Sequence, residues 1–167
     1  ETQRLSCRRL NVADLEPLFA VYSDAEAMRW VGDGEPISRQ ACEDWLEVTK
    51  NNYLKRGYGM FAIEERLSGT VVGFCGLVHP GGQKEAEVKY AFLRSHWGRG
   101  LASETIPALL AYGATVHSLI KVIATVAPDN LASQSVLLKS GMQLAFVRSN
   151  ADHSSTYVYE WLPQNAD

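Results

Sequence analysis

The chain has 167 residues, of which 46% are hydrophobic and 21% charged, as is typical of one globular domain that needs no cross-links to fold. Its net charge of −3 argues against a general nucleic-acid-binding surface and against binding to anionic membranes. The three cysteines show neither a disulfide framework nor metal-ligand spacing, no apolar run reaches transmembrane length, and residues 1–20 lack a signal-peptide pattern. We therefore expect one cytoplasmic domain over residues 1–167, with no metal ion, nucleic-acid partner or membrane partner.

The first third of the chain predicts a strand followed by two helices. Residues 2–9 have the pattern of a strand, and Asn11 can cap a helix. One stripe of that helix is apolar and is expected to face the core: Val12, Leu15, Leu18, Phe19 and Tyr22. Residues 24–36 contain two glycines and a proline and predict a loop with some helical turn. Ser38 then caps a second helix, which ends at Gly57.

The rest of the chain predicts six strands and two further helices. Tyr58–Glu64, Thr70–Val78 and Glu85–Leu93 predict strands, and a glycine-containing loop and a helix follow them. Ile120–Val126 predicts a strand with apolar residues on nearly both faces, which favours a central position in a sheet. A helix opens at residues 128–130 and ends before Gly141. The last two strands form a hairpin over Leu144–Arg148 and Thr156–Leu162.

This order of elements predicts the fold class α/β (α+β), with about seven strands and about four helices. Strand, helix and strand between residues 85 and 126 form one parallel crossover, and the other strands are expected to pair antiparallel.

The loop between residues 94 and 102 is the candidate binding site. Gly98 and Gly100 let the backbone curl so that successive N–H groups face one concavity, and the following helix N-terminus adds unpaired donors. This arrangement suits a phosphate or pyrophosphate, although a tight strand-to-helix turn has the same pattern. The loop lacks the Gly-Lys-Ser/Thr of a Walker A motif. It also has Ser103 where a dinucleotide fingerprint has a third Gly or Ala, and the next strand lacks the acid of that fingerprint.

Two segments resemble the coenzyme-binding motifs of the GNAT superfamily of N-acetyltransferases, and the resemblance extends over essentially the whole chain. HWGRGLASE resembles the family's first coenzyme loop, with Gly100 and Ala102 matching and Trp97 in place of the usual Gln or Arg. APDNLASQSVLLKSGM resembles the second segment, with Asn130, Ser133, Lys139 and Gly141 at matching positions. The similarity is greatest to the RimJ/RimL-like subgroup, which contains the ribosomal-protein N-terminal acetyltransferases.

The resemblance implies that acetyl-CoA is the co-substrate. Its pyrophosphate would bind the amides of Trp97, Gly98, Arg99, Gly100, Leu101, Ala102 and Ser103. Its pantetheine arm would lie between the strands that end at Leu93 and Val126, which splay apart in this family. Asn130 would hydrogen-bond the arm, and Lys139 would belong to the same coenzyme-binding set. A backbone N–H at Phe92 or Leu93 would polarise the thioester carbonyl.

Glu87 is the first candidate for the catalytic base because it lies on the strand that leads to the loop. An exposed structural acid, a base acting through water, and Glu85 are the alternatives. Strand alternation places Lys89 on the same face, where it could pair with Glu87. For the acid, many relatives use a Tyr where this chain has Leu137. Ser133 is the replacement candidate; helix capping or a plain surface role is the alternative, and solvent could also protonate the thiolate.

The predicted function is transfer of an acetyl group to a protein N-terminal α-amine or to a small-molecule amine. Lysine acetylation is one alternative, and an acyl-CoA-binding sensor or scaffold without turnover is another. Trp30, Trp45 and Tyr90 could line an acceptor pocket or belong to the core. Similar proteins are often dimers, so the resemblance is compatible with a homodimer.

Overall fold

The computed structural model describes residues 1–32 and 34–163, which form a seven-stranded mixed sheet with helices on both faces. The strands in chain order are β1 (Leu5–Arg9), β2 (Met60–Glu65), β3 (Val71–Val78), β4 (Ala86–Phe92), β5 (Val122–Val126), β6 (Gln143–Ser149) and β7 (Ser155–Trp161). They lie in the order β1-β2-β3-β4-β5-β7-β6, and only β4 and β5 pair in parallel. This confirms the predicted fold class.

Within residues 1–32 and 34–163, five α-helices flank the sheet, where the sequence predicts about four. They are α1 (Leu15–Tyr22), α2 (Ala25–Met28), α3 (Arg39–Arg56), α4 (Leu101–His117) and α5 (Leu131–Lys139). The additional helix α2 lies in the segment predicted as a loop with some helical turn, where the Asp24 side chain accepts from the amides of Glu26 and Ala27. An N-cap of this kind stabilises even a single helical turn.

Two apolar residues predicted to be buried are exposed. Asn11 caps a short 3₁₀ turn over Val12–Asp14, and the α-helix starts only at Leu15. The tighter winding of the 3₁₀ turn rotates Val12 off the apolar stripe, and Val12 is 84% exposed. Ile120 precedes the strand rather than belonging to it, and it is 82% exposed. Strand β5 therefore buries one face fully and leaves Ile123 and Thr125 half-buried on the other.

The core consists of one apolar cluster on each face of the sheet. The cluster beneath α4 and α5 includes Cys75, Val88, Phe92 and Leu137. The cluster beneath α1 and α3 includes Leu18, Cys42 and Phe74, with Ala91 and Leu93 packed against it. Because side chains alternate along a strand, Tyr90 faces the α4/α5 side while Glu87 and Lys89 face the α1/α3 side.

The parallel pair opens into a fork soon after it begins. Strands β4 and β5 are paired at Ala86 with Val122 and at Glu87 with Ile123, near the start of each strand. From there to Phe92, β4 continues its antiparallel ladder with β3 alone. The backbone edge of β4 is therefore exposed to a gap beside β5, as the resemblance implied.

Among the described residues, no helix combines the length and the apolar character that crossing a membrane requires.

Candidate functional site

Hydrogen-bond parity determines which amides of β4 point into the fork. The Leu93 N–H donates to the Val72 carbonyl of β3 at 2.9 Å. In an antiparallel ladder, the backbone N–H and C=O groups of every second residue face the partner strand. Because Leu93 faces β3, the amides of Tyr90 and Phe92 point the other way, toward β5. Phe92 can therefore donate to a carbonyl held in the fork. The expectation that Leu93 could do the same is wrong, because β3 already accepts its hydrogen.

The glycine loop places several unpaired amides at the mouth of the fork. Gly98 and Gly100 have φ angles of 72° and 75°, a conformation that strongly favours glycine. The first hydrogen bond of α4 runs from the Glu104 amide to the Gly100 carbonyl at 3.1 Å. The amides of Leu101, Ala102 and Ser103 precede that bond and have no acceptor within the helix. This geometry fits an anionic group at the α4 N-terminus.

Trp97 contributes to the loop differently from the prediction. Its amide donates to the Arg94 carbonyl at 3.1 Å and is therefore not available to a phosphate. The expectation that this amide would bind the pyrophosphate is wrong. Its indole N–H instead donates to the Phe92 carbonyl at 2.9 Å. The Trp97 side chain thus ties the end of β4 to the loop, and it orients the residue whose amide points into the fork.

Charged side chains hold the loop from outside. Arg4 donates from Nη1 to the Arg99 carbonyl at 2.9 Å, and its Nε contacts Oε2 of Glu104 at 2.6 Å. Arg99 pairs with Glu65 at 2.8 Å. Burial alone would raise the pKa of Glu104, but hydrogen bonds from Thr2 and Arg4 outweigh it and lower that pKa. Sequence patterns did not indicate Arg4, because it lies 100 residues from its carboxylate partner.

Glu87 is almost fully buried, at 3% exposure, so the alternative of an exposed strand-end acid is wrong. Its carboxylate accepts hydrogen bonds from Lys89 and from the Thr125 hydroxyl of β5, and Gln83 donates to it at 3.3 Å. The predicted partnership with Lys89 is confirmed. Thr125 joins this cluster to the other arm of the fork, so the carboxylate lies where the two strands part.

A hydroxyl pair lies on the opposite face of the sheet. The Tyr90 hydroxyl is 2.7 Å from the Ser133 hydroxyl. The Asn130 side chain accepts from the Ser133 amide at 3.1 Å, which makes Asn130 the N-cap of α5. Leu137, at the position where many relatives have a Tyr, is 1% exposed and belongs to the core. Lys139 is exposed in the last turn of α5, nine residues or roughly 13 Å along the helix from Asn130.

The remaining aromatic candidates divide between core and surface. Trp45 packs edge-on against Tyr22, with ring centroids 5.0 Å apart, and belongs to the core. Trp30 is 39% exposed, and the Arg29 guanidinium lies 4.8 Å from its ring centroid. Two further aromatic residues, Tyr157 and Trp161 on β7, pack against the α4/α5 cluster.

The fold and site together define a class: a mixed α/β protein with a forked parallel strand pair and, beside it, a glycine loop that leads into a helix N-terminus. Residues 4–143 match the family model of the acetyltransferase (GNAT) domain. The uncharacterized N-acetyltransferase YoaA of Bacillus subtilis is 32% identical over 145 residues, which cover 86% of this chain and 81% of YoaA. The chain belongs to the GNAT acetyltransferase family and is an N-acetyltransferase.

Two solved structures confirm the fold. The ribosomal α-N-protein acetyltransferase RimL, in complex with coenzyme A, gives a TM-score of 0.83 at 18% identity and covers 99% of this chain and 97% of its own. Spermidine N-acetyltransferase from Vibrio cholerae, in complex with CoA and spermine, gives a TM-score of 0.78 at 19% identity, with 95% of each chain covered.

Proposed function

We propose that this N-acetyltransferase uses acetyl-CoA and transfers the acetyl group to an α-amine. The observation that carries the proposal is the fork itself. It has the buried Glu87 carboxylate on one face, the Tyr90–Ser133 hydroxyl pair on the other, and the outward-pointing Phe92 amide at the end of β4. A thioester held in the gap would meet a proton acceptor, a carbonyl-polarising donor and a proton donor.

The coenzyme would enter from the glycine loop. Its pyrophosphate would accept hydrogen bonds from the amides between Gly98 and Ser103, at the positive end of the α4 dipole. Its pantetheine arm would pair with the outward backbone groups of β4, as an added strand pairs with an open edge. Asn130 and the first turn of α5 would flank the arm. The exposed Lys139 and the Glu65-paired Arg99 are the side chains left to meet the outer phosphate of the coenzyme.

The reaction needs a neutral amine, a polarised carbonyl and a stabilised leaving sulfur. The amine nitrogen forms a bond to the acetyl carbon while the Phe92 N–H hydrogen-bonds the carbonyl oxygen. The surplus proton on nitrogen passes to Glu87 through a water molecule, since Lys89 and Thr125 already contact the carboxylate. The C–S bond then breaks, its electron pair leaves on sulfur, and the Ser133 hydroxyl donates to the thiolate before solvent protonates it.

The charge of the site favours an α-amine over a lysine or polyamine nitrogen. At pH 7.5, about a quarter or more of an α-amine is neutral, against about one part in 800 of a lysine. At that pH an enzyme acting on lysine must therefore overcome an additional cost of about 3.1–3.4 kcal/mol for obtaining the neutral amine. Here the buried carboxylate is already paired with the Lys89 ammonium, which is 41% exposed beside it. A cation in that place disfavours a polycationic acceptor such as spermidine and supplies no extra base.

Three acceptors test this choice: a lysine-free peptide with an unblocked N-terminus, an N-terminally blocked peptide that contains lysine, and spermidine. We expect the highest kcat/KM for the first. Faster turnover of either of the other two would contradict the α-amine proposal and leave the acetyltransferase assignment unchanged. Leu137 favours one competing function, an acyl-CoA-binding sensor, because it removes the Tyr that protonates the thiolate in many relatives.

A further inference from the structure

The hydrogen bond between Tyr90 and Ser133 connects the two arms of the fork. Tyr90 lies on β4, and Ser133 lies in the first turn of α5, the helix that follows β5. Their hydroxyl oxygens are 2.7 Å apart, although the residues are 43 positions apart in the chain. The contact therefore lies beside the gap that the pantetheine arm would occupy and close to the end that carries the thioester.

The direction of this hydrogen bond decides what the serine can do. Burial raises the pKa of the Tyr90 phenol, and the hydrogen bond with Ser133 offsets only part of that effect. The phenol therefore stays protonated at neutral pH and keeps a hydrogen to donate. If Tyr90 donates to the Ser133 oxygen, the serine's single O–H hydrogen is left to point elsewhere.

Helix α5 fixes the serine from the other side. The Ser133 amide donates to the Asn130 side chain at 3.1 Å, which holds the first turn of α5 in place. An isolated serine hydroxyl on a helix often donates back to a carbonyl one turn earlier. A phenol hydrogen on one side of the Ser133 oxygen would leave the serine hydrogen free to point toward the fork.

We propose that Tyr90 is a positioning residue for acyl transfer: its phenol donates to Ser133 and so directs the serine O–H at the departing sulfur. The inference rests on the proposed function of Ser133 as the group that stabilises the thiolate. Tyr90 remains a neutral phenol throughout. The C–S bond breaks, the electron pair stays on sulfur, the O–H of Ser133 hydrogen-bonds it, and the thiolate then takes its proton from solvent.

A double-mutant cycle separates this role from simple packing. Tyr90→Phe keeps the ring and removes only the hydroxyl. We expect kcat to fall about 5- to 10-fold, the effect of losing one neutral hydrogen bond, with KM for acetyl-CoA within twofold of wild type. We expect Ser133→Ala to lower kcat about 10- to 100-fold, at or below the range for a general acid, because the serine hydrogen-bonds the thiolate without protonating it. Adding Tyr90→Phe to Ser133→Ala should cost nothing more, because the phenol acts through the serine.

Two further variants serve as controls. Tyr112→Phe removes a comparable hydroxyl, which contacts His117 at 2.9 Å and lies away from the fork, so we expect wild-type kcat. Ser133→Thr retains a hydroxyl, and in that background Tyr90→Phe should again lower kcat 5- to 10-fold.

The outcomes are distinguishable. If the fold losses of Tyr90→Phe and Ser133→Ala multiply in the double variant, the two residues act independently and the inference fails. It also fails if Tyr90→Phe changes CoA affinity and thermal stability as much as it changes kcat. Acetyl transfer by the wild-type protein would survive either result. If the wild-type protein acetylates none of the amines tested, both the proposed function and this inference are overturned.

Discussion

Replacing Gly100 with valine changes the backbone of the coenzyme loop at one position. Gly100 has a φ angle of 75°, where a β-branched residue is strongly disfavoured. The space around it is open, since a Cβ there would approach only Nη2 of Arg4, at 3.8 Å. The cost to folding therefore comes from the backbone conformation, about 1–2 kcal/mol, and not from a clash in the core.

We expect Gly100→Val to reduce the free energy of CoA binding by more than it reduces the free energy of unfolding. Relaxation of φ away from the left-handed region would turn neighbouring amides away from the concavity where we place the pyrophosphate. Each hydrogen bond to a charged group contributes about 1.5–3 kcal/mol. The loss of one or two such bonds weakens CoA binding roughly 10-fold to about 20,000-fold, since 1.4 kcal/mol corresponds to a factor of ten.

Gly69 provides a matched control. It lies in the turn between β2 and β3, has a φ angle of 68°, and would place a Cβ in open space. Gly69→Val should therefore show a similar loss of stability and normal CoA binding. Urea unfolding followed by circular dichroism measures the first quantity, and calorimetric titration with CoA measures the second. If Gly100→Val folds and binds CoA as tightly as Gly69→Val, the loop is not the pyrophosphate site.

The other predictions concern the coenzyme, the base and the response to acid. CoA at a hundred times its dissociation constant should add about 2.7 kcal/mol to the free energy of unfolding, while NAD and ATP should add much less. If millimolar CoA leaves the melting temperature unchanged, the coenzyme assignment is contradicted. Glu87→Gln should lower kcat with little change in CoA affinity. The difference in kcat from wild type should shrink as pH rises, because more of the amine is then neutral. If the variant has the kcat of wild type at every pH, Glu87 has no part in the mechanism. Because the pKa of Glu104 is lowered in the folded state, its contribution to stability is present above the unfolded-state pKa and is lost as pH falls through the folded value. Wild type should therefore lose more unfolding free energy than Glu104→Gln between pH 7 and pH 3, and equal losses would refute that role.

The sequence was informative where local pattern determines structure. Gly98 and Gly100 before an apolar helix predicted the loop, since left-handed backbone before a helix N-terminus has a recognisable signature. The order of the strands required the parallel crossover between β4 and β5. The pairing of Glu87 with Lys89 on β4 followed from strand alternation, while the role of Glu87 as the base stays a prediction.

The parts that could not be predicted depend on contacts between distant segments. The Tyr90–Ser133 and Thr125–Glu87 hydrogen bonds join residues 43 and 38 positions apart, and only the closed sheet brings them together. The indole of Trp97 caps the Phe92 carbonyl, a role that a motif describing backbone amides does not contain. The predicted burial of Val12 was wrong because an N-cap residue does not determine whether the first turn is 3₁₀ or α-helical.

The most direct test of enzymatic function is acetyl transfer itself. The protein is incubated with acetyl-CoA and a lysine-free peptide that has an unblocked N-terminus. A thiol-reactive reagent measures the CoA that is released, and mass spectrometry measures the mass of the peptide. We predict one acetyl group on the peptide for each CoA released, over many turnovers per enzyme molecule. Tight binding of acetyl-CoA with no acetylated product, on this peptide or on a broad panel of amines, would contradict the account and favour a coenzyme sensor.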